Sequence, residues 1–451
     1  MQVYNSLTRA KEPLPPPPGP VRMYVCGPTV YQRIHVGNAR PFVVFLWLRN
    51  WLRLTGYEAT LVENVTDVND KIYDAARAQG IPSAELAERA TRWYMEDTDG
   101  LGLGRPDVEP LATETIPEIV ALIDELVRRG LAYESRGDVY FRVAAYPAYG
   151  ELSGAKPEDM VAQEPGDLKE DPRDFALWKA TKPGEDTSWE SPWGRGRPGW
   201  HIECSAMAEK HLGPEFELHG GGLDLRFPHH ENEVAQSRGA GRPFARIWAH
   251  NGMLELAQEK MSKSVGNIVS LHDALERWGR EPLLLLFLGA HYRQPVEFSD
   301  DAMEQAKAQW DDFRTAYRTV RPPRTGTAPT WEEFAAALDD DFNTPKALAI
   351  LHSWRANRLD EWLEQGLNVF GLSIGAEHGF EAQDSITVTD RAWALQTVGD
   401  PPTVVRQLVD QRHLARESKN FLEADRLRSA IEAEGWEVQD VSGGYRLIPR
   451  T

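Results

Sequence analysis

Two cysteines occur in the 451-residue chain, Cys26 at the end of the apolar run "VRMYVC" and Cys204 inside "GWHIECSAM". Two thiols are too few for a disulfide framework, so each is either a small buried apolar side chain or a ligand held in a reducing compartment. A third group stands in "RFPHHENEVAQS", where His229 and Glu233 are four residues apart. That spacing puts both on one face of a helix whose first turn is marked by Pro228. Two thiolates, an imidazole and a carboxylate make a donor set suited to Zn²⁺. From spacing alone, a solvated His–Glu ion pair competes with this reading, and His230 could replace His229 as a ligand.

Two further clusters suit phosphate. "EKMSKSVGN" (259–267) offers Lys260 and Lys263 among small polar residues. They could bring two ammonium groups to a polyphosphate, or form an ordinary basic surface loop. "IHVGN" (34–38) lies between an expected strand and helix. There backbone amides and the helix dipole favour an anion, His35 adds a donor, and Gly37 admits close backbone approach. The sequence has no G-x-x-x-x-G-K-[ST], so nucleotide binding here is not of the P-loop kind.

The elements that must position these groups follow from periodicity. "VRMYVC" reads as a short buried strand. Phe42, Phe45, Leu46, Leu48, Trp51 and Leu52 recur at helical spacing from about Ala39, with Gly56 at the C-terminal cap. "EATLVENVTD" (58–67) reads as a second strand. Strand, helix, strand implies a parallel sheet with ligands at the carboxyl ends of its strands. Residues 111–190 read as an insertion containing a helix over Ile116–Arg129 and a strand in "DVYFRV". The α/β pattern then resumes. The organisation expected is an α/β catalytic domain in two halves (1–110 and 191–250), a segment 251–300 with the lysine loop, a helical bundle (301–375), a polar linker (376–402) and a small α+β domain (403–451). The last of these contains a helix in "FLEADRLRSAIEAEG" and a hairpin in "WEVQDVSGGYRLI" turning at Gly443-Gly444.

Composition narrows the partners. A net charge of −19 argues against indiscriminate DNA binding, which needs cation–phosphate contacts, yet leaves room for a specific nucleic acid. Residues 405–451 carry eight Lys/Arg against eight acids, a neutral tail on an acidic chain. No apolar run is long enough for a membrane span, and the first residues lack the apolar core of a secretory signal, so a cytoplasmic protein is expected.

"IHVGN" resembles the HIGH signature and "KMSKS" is the second signature of class I aminoacyl-tRNA synthetases. "MYVCGPTVY", "NVTDVND", "GWHIECSAM", "GGGLDLRFPHHENE" and "HNGM" resemble the cysteinyl-tRNA synthetase family in particular, and the similarity runs from "VYNSLTR" to the C-terminal hairpin. The resemblance implies a Rossmann-type catalytic domain with a connective-peptide insertion, and an anticodon-binding domain at 403–451. It implies one Zn²⁺ per chain on Cys26, Cys204, His229 and Glu233, which selects the substrate thiol. It places Thr66, Trp200 and Asp224 around L-cysteine, with His35, Gly37, Asn38 and Gly220, Gly221 and Gly222 on the side of ATP and its Mg²⁺. Lys260 and Lys263 then approach the phosphates. Asn38 departs from the signature, whose last letter is histidine; an amide keeps a hydrogen bond there and gives up a cationic form. The implied partners are ATP, L-cysteine and tRNA(Cys), with no membrane and a monomeric state. The nearest alternative by resemblance is a ligase joining cysteine to an amino-sugar inositol, whose acceptor needs no anticodon reader. A small-molecule nucleotidylyltransferase and a catalytically silent zinc or RNA-binding module are more distant.

Overall fold

The structure, a computed structural model, describes residues 1–156, 168–256, 259–260, 269–318, 328–374, 394–397, 405, 408–409, 412, 421–441 and 444–449. An antiparallel hairpin of β1 (Gln2–Asn5) and β2 (Ala10–Pro13) precedes the catalytic sheet. The sheet opens with β3 (Pro20–Val25), α1 (Val36–Leu54) and β4 (Glu58–Glu63), the strand–helix–strand order expected. Two helices follow, α2 (Asp70–Gln79) and α3 (Ser83–Asp99).

α1 is apolar nearly all round because it is packed nearly all round. Phe42, Val43, Leu46, Trp47 and Leu52 are fully buried. Its indoles find polar ends deep in the fold, Trp47 Nε1 donating to Phe370 O at 3.0 Å and Trp51 Nε1 to Asp339 Oδ1 at 3.0 Å. The buried indole N–H would otherwise carry a desolvation cost.

The insertion holds α4 (Ile116–Arg128) and an antiparallel sheet of β5 (Ala132–Ser135), β6 (Asp138–Phe141), β7 (Phe175–Ala180) and β8 (Gly196–Pro198). The strand expected in "DVYFRV" is β6. β7 and β8 were not legible as strands, and β8 carries the insertion's sheet past residue 190. The chain then enters α5 (Trp200–Leu212) through Gly199, where a Cβ would stand 2.1 Å from Ala176 O.

β9 (Glu215–Gly222), α6 (Glu231–Gly239) and β10 (Phe244–Asn251) complete the catalytic sheet. Its order is β10-β9-β3-β4 with every pair parallel. The chain winds outward from β3 to β4 on one side and from β9 to β10 on the other. The reversal falls between β3 and β9, and a crevice opens past the carboxyl ends of those two strands.

Beyond the sheet come β11 (Leu254–Leu256), β12 (Glu259–Lys260), α7 (Leu271–Trp278), α8 (Arg280–Leu288) and β13 (Val296–Glu297). A helical region follows, with α9 (Asp300–Arg318), α10 (Trp331–Asp339), α11 (Thr344–Asn357) and α12 (Asp360–Val369). This is the bundle expected over 301–375.

The chain divides into two compact units, Met1–Ala376 and Glu377–Thr451. The second contains β14 (Ala394–Thr397), α13 (Phe421–Ala433), β15 (Trp436–Val441) and β16 (Gly444–Pro449). β15 and β16 form the expected hairpin, although Gly443 of its turn lies outside the described residues. β14 pairs parallel to β16, so a strand lies within the stretch read as linker. Val405, Val409, Ile431, Trp436, Val438, Tyr445 and Leu447 form this unit's own core.

Candidate active site

β3 delivers Cys26 to the crevice one residue past its last paired position, and Cys26 N donates to Gly220 O of β9 at 3.2 Å. α5 delivers Cys204, and the segment into α6 delivers His229 and Glu233. One donor atom from each of these four lies within 4.8 Å of the others, and all four residues are buried. The helical turn expected at Pro228 is present, widened before it runs into α6. Phe227 is extended at φ −137°, the backbone is helical but widened through His230, and regular α-helix begins at Glu231. The four-residue spacing still brings His229 Nε2 to 3.2 Å from Glu233 Oε1.

The electrostatics call for a cation. Glu233 is fully buried, and among the described residues its recorded ion-pair partners are the imidazoles of His219 and His229. Burial drives His229 well below the usual imidazole range, so it is neutral. The Cys26 thiol donates to Glu233 Oε1 at 3.3 Å, and burial pushes it far above its ordinary value. Burial likewise raises Cys204, whose Sγ lies 3.6 Å from Asn64 Oδ1. Burying a carboxylate carries a desolvation cost of several kcal/mol, which a thiol hydrogen bond and two imidazole contacts offset only in part. A divalent cation supplies that compensation and reverses the pressure on both thiols. The residues therefore fit a tetrahedral N/S/O site.

Around the four stands a ring of histidines, of which sequence reading named His230 as an alternative ligand and missed His201, His219 and His250. His219 Nε2 lies 2.9 Å from Glu233 Oε2, and His201 Nδ1 lies 2.8 Å from His229 Nδ1. His230 Nδ1 meets His250 Nε2 at 2.8 Å, and His250 Nδ1 meets Ser6 Oγ at 2.8 Å. Burial lowers His201 and His250 to about 3 and holds His229 and His230 well below the usual imidazole range, so the His201–His229 and His230–His250 contacts join neutral rings. A second donor set, Cys26, His219, His230 and Glu233, also falls within 4.8 Å, but it shares two members with the first. Only His229–Glu233 carried a periodic signal; His219 and His250 lie on strands, where a single histidine has no spacing to betray it.

The other expected residues separate into groups. Thr66 is buried, its Oγ1 accepting at 3.2 Å from Nδ2 of Asn64, the residue whose Oδ1 meets Cys204. The Trp200 ring centroid is 4.4 Å from that of His229, and Nζ of Lys71, on α2, lies 5.8 Å from the Trp200 ring centroid. Asp224 is exposed in the short turn after β9, and a Cβ on Gly222 would stand 2.5 Å from its Oδ1. Gly220 has a packing reason, since a Cβ there would stand 2.1 Å from Phe45 Cζ of α1; a Cβ on Gly221 would meet His230 at 3.0 Å. His35 is the N-cap of α1, Gly37 is in its first turn, and Asn38 is exposed with its amide on His35 O at 2.9 Å. The backbone of Lys260 pairs with Glu255 in β12, while Lys263 lies outside the described residues.

A parallel sheet with its reversal beside a helix N-terminus, and an insertion between its halves, is the architecture of a class I tRNA synthetase. The family model described as tRNA synthetases class I (C) catalytic domain matches residues 15–308, and a DALR domain model matches residues 333–357. Methionyl-tRNA synthetase of Mycobacterium tuberculosis, solved with methionyl-adenylate, shares the fold at TM-score 0.56 and 18% identity, over 78% of this chain and 87% of that one. Curated cysteine--tRNA ligases are far closer in sequence. That of Methylobacillus flagellatus is 44% identical, with 98% of each chain covered. Those of Halorhodospira halophila and Rubrobacter xylanophilus are 44% and 42% identical, with 99% and 96% of each chain covered. The chain belongs to the cysteine--tRNA ligase family. Coverage of that extent includes the C-terminal unit, and it does not favour the amino-sugar ligase alternative. Among the described residues, no helix is long and apolar enough to cross a membrane.

Proposed function

We propose that the protein activates L-cysteine with ATP and Mg²⁺, forming cysteinyl-adenylate and pyrophosphate, and then esterifies the 3′ end of tRNA(Cys) with release of AMP. The observation that carries the choice of amino acid is the buried Cys26–Cys204–His229–Glu233 set at the β3/β9 crevice, adjoining the helix that begins after His35. Zinc held by those four side chains would favour a soft thiolate over the hydroxyl of serine at neutral pH. The protein's own groups do the rest. His219 fixes the carboxylate of Glu233, and His201 fixes the ring of His229, so both ligands are oriented before substrate arrives. Trp200 and Thr66 wall the space next to the cysteines, and the Asp224 carboxylate at the mouth suits the ammonium of the amino acid. The α1 amide at Gly37 and the exposed Asn38 side chain, with His35, face the nucleotide, Asn38 acting as a neutral donor.

Lys260 and Lys263 balance charge gathering on the departing pyrophosphate, a role that needs no protein nucleophile. Residues 403–451 read the anticodon, and the enzyme acts as a monomer in the cytoplasm. The test is exchange of labelled pyrophosphate into ATP, followed by charging of tRNA(Cys). Exchange that depends on cysteine and is at least ~100-fold weaker with serine is expected. Exchange indifferent to the amino acid, or no charging of tRNA(Cys), would refute the reading.

A further inference from the structure

The two signature stretches are joined by backbone. Leu271 N donates to Ile34 O at 2.8 Å, Val36 N donates to Val269 O at 3.1 Å, and His35 faces Ser270 in an antiparallel bridge. Residues 34–36 carry His35 into α1. Residues 269–271 carry the chain from "EKMSKSVGN" into α7, whose cap is Ser270, with Oγ accepting from Asp273 N at 3.0 Å. Two such bonds contribute little net stability after exchange with water. A bridge this short therefore needs support from outside itself.

One carboxylate from a third element reaches both of its sides. Asp97, near the C-terminus of α3, is 3% exposed. Its Oδ1 accepts from Arg33 Nη1 and lies 3.6 Å from His272 Nδ1. Arg33 stands two residues before His35, and His272 is the second residue of α7. Further contacts with α3 hold the guanidinium, Glu96 Oε2 at 3.6 Å and the Trp93 ring centroid at 5.6 Å. The other oxygen of Asp97 is buried with no hydrogen-bond partner among the described residues. An unsatisfied buried oxygen is destabilising, a penalty that packing alone would avoid with an apolar side chain.

We propose that Asp97 is a positioning residue for adenylate formation. Through Arg33 and His272 it keeps the His35 segment in register with the chain that follows the lysine signature. Asp97 touches neither substrate nor metal ligand, so its effect falls on the rate of the step and not on recognition of cysteine. This rests on the synthetase reading above, and the test separates the two.

Asp97→Asn keeps the shape and removes the charge. Cysteine-dependent pyrophosphate exchange should lose ~10-fold or more in kcat, because small misplacements of reacting groups are costly. KM for cysteine should stay within about twofold, and metal content should not change. Hydrogen exchange at the Val36 and Leu271 amides should accelerate while α3 amides keep wild-type rates. Arg33→Gln should reproduce the loss, and the double variant should be no worse than the worse single one. If Asp97→Asn does not fold, Arg33→Gln and His272→Gln, at partly exposed positions, carry the same expectations. Unchanged kcat in those variants overturns the proposal, as does acceleration spread equally over α3. Wild-type protein without cysteine-dependent exchange would refute the synthetase reading, while the amide rates still report on the clasp.

Discussion

Glu233 holds the site together at the residue scale: it accepts from Cys26, meets His219 and His229, and is fully buried. Removing a ligand should cost selectivity before it costs the fold, because the surrounding cores are extensive. Cys26→Ser is expected to lower bound zinc well below one per chain and to shrink the cysteine-to-serine ratio of kcat/KM by ~10-fold or more. Emission spectroscopy for metal, with exchange kinetics on both amino acids, checks it. Retained zinc with an unchanged ratio would contradict the assigned role.

Glu63, at the end of β4, makes a different prediction. Burial raises its carboxyl to about 8, with Tyr94 OH donating to Oε1 at 3.0 Å. The unfolded chain would titrate near ~4.3. Between those values the folded state holds a proton the unfolded state has lost, so stability falls as pH rises through the window. Glu63→Gln removes that slope. Its stability advantage over wild type should be small at pH 5 and grow to on the order of 2–4 kcal/mol by pH 8. Urea unfolding at several pH values reads this directly. Parallel stability curves would show that Glu63 is ionised in the folded protein.

At the scale of elements, the approach of α1 to β9 sets the crevice. Gly220 lets Phe45 lie against the sheet, and His35 begins the same helix. Gly220→Ala should push α1 outward and cost ~1–3 kcal/mol, as overpacking does. Cysteine-dependent exchange should fall with it, and adding Phe45→Leu should restore part of both. Denaturant midpoints and exchange rates of the single and double variants decide the matter. A destabilised Gly220→Ala protein with full activity would separate the packing from the chemistry.

At the scale of the molecule, the catalytic elements and the helical region lie in Met1–Ala376, while Glu377–Thr451 has its own small core. Two cores allow two functions to be parted. A chain ending at Ala376 should retain cysteine-dependent exchange within a few-fold and charge tRNA(Cys) poorly, by ~100-fold or more in kcat/KM. Undiminished charging would take tRNA reading away from the C-terminal unit. The acidic whole, at −19, makes binding to nucleic acid depend on local surfaces and not on overall charge.

The sequence alone determined the strand–helix–strand opening, α4, the helical region and the final hairpin, because each buries one face and so repeats at its own period. It also determined the thiols, the His229–Glu233 pair and the lysine signature, since motif residues are local strings. The tertiary structure decided what has no local period. β7 is buried at five of its six positions, leaving nothing to alternate. The turn from Pro228 to His230 is helical as expected, but it is widened before α6 begins at Glu231, a detail that no local period sets. His219 and His250 reach the site from β9 and β10, and Asp97 reaches His35's segment from 62 positions along the chain. Distance along the chain sets no distance in space until the sheet order brings β3 beside β9. Only then do two lone cysteines, 178 residues apart in sequence, become one site.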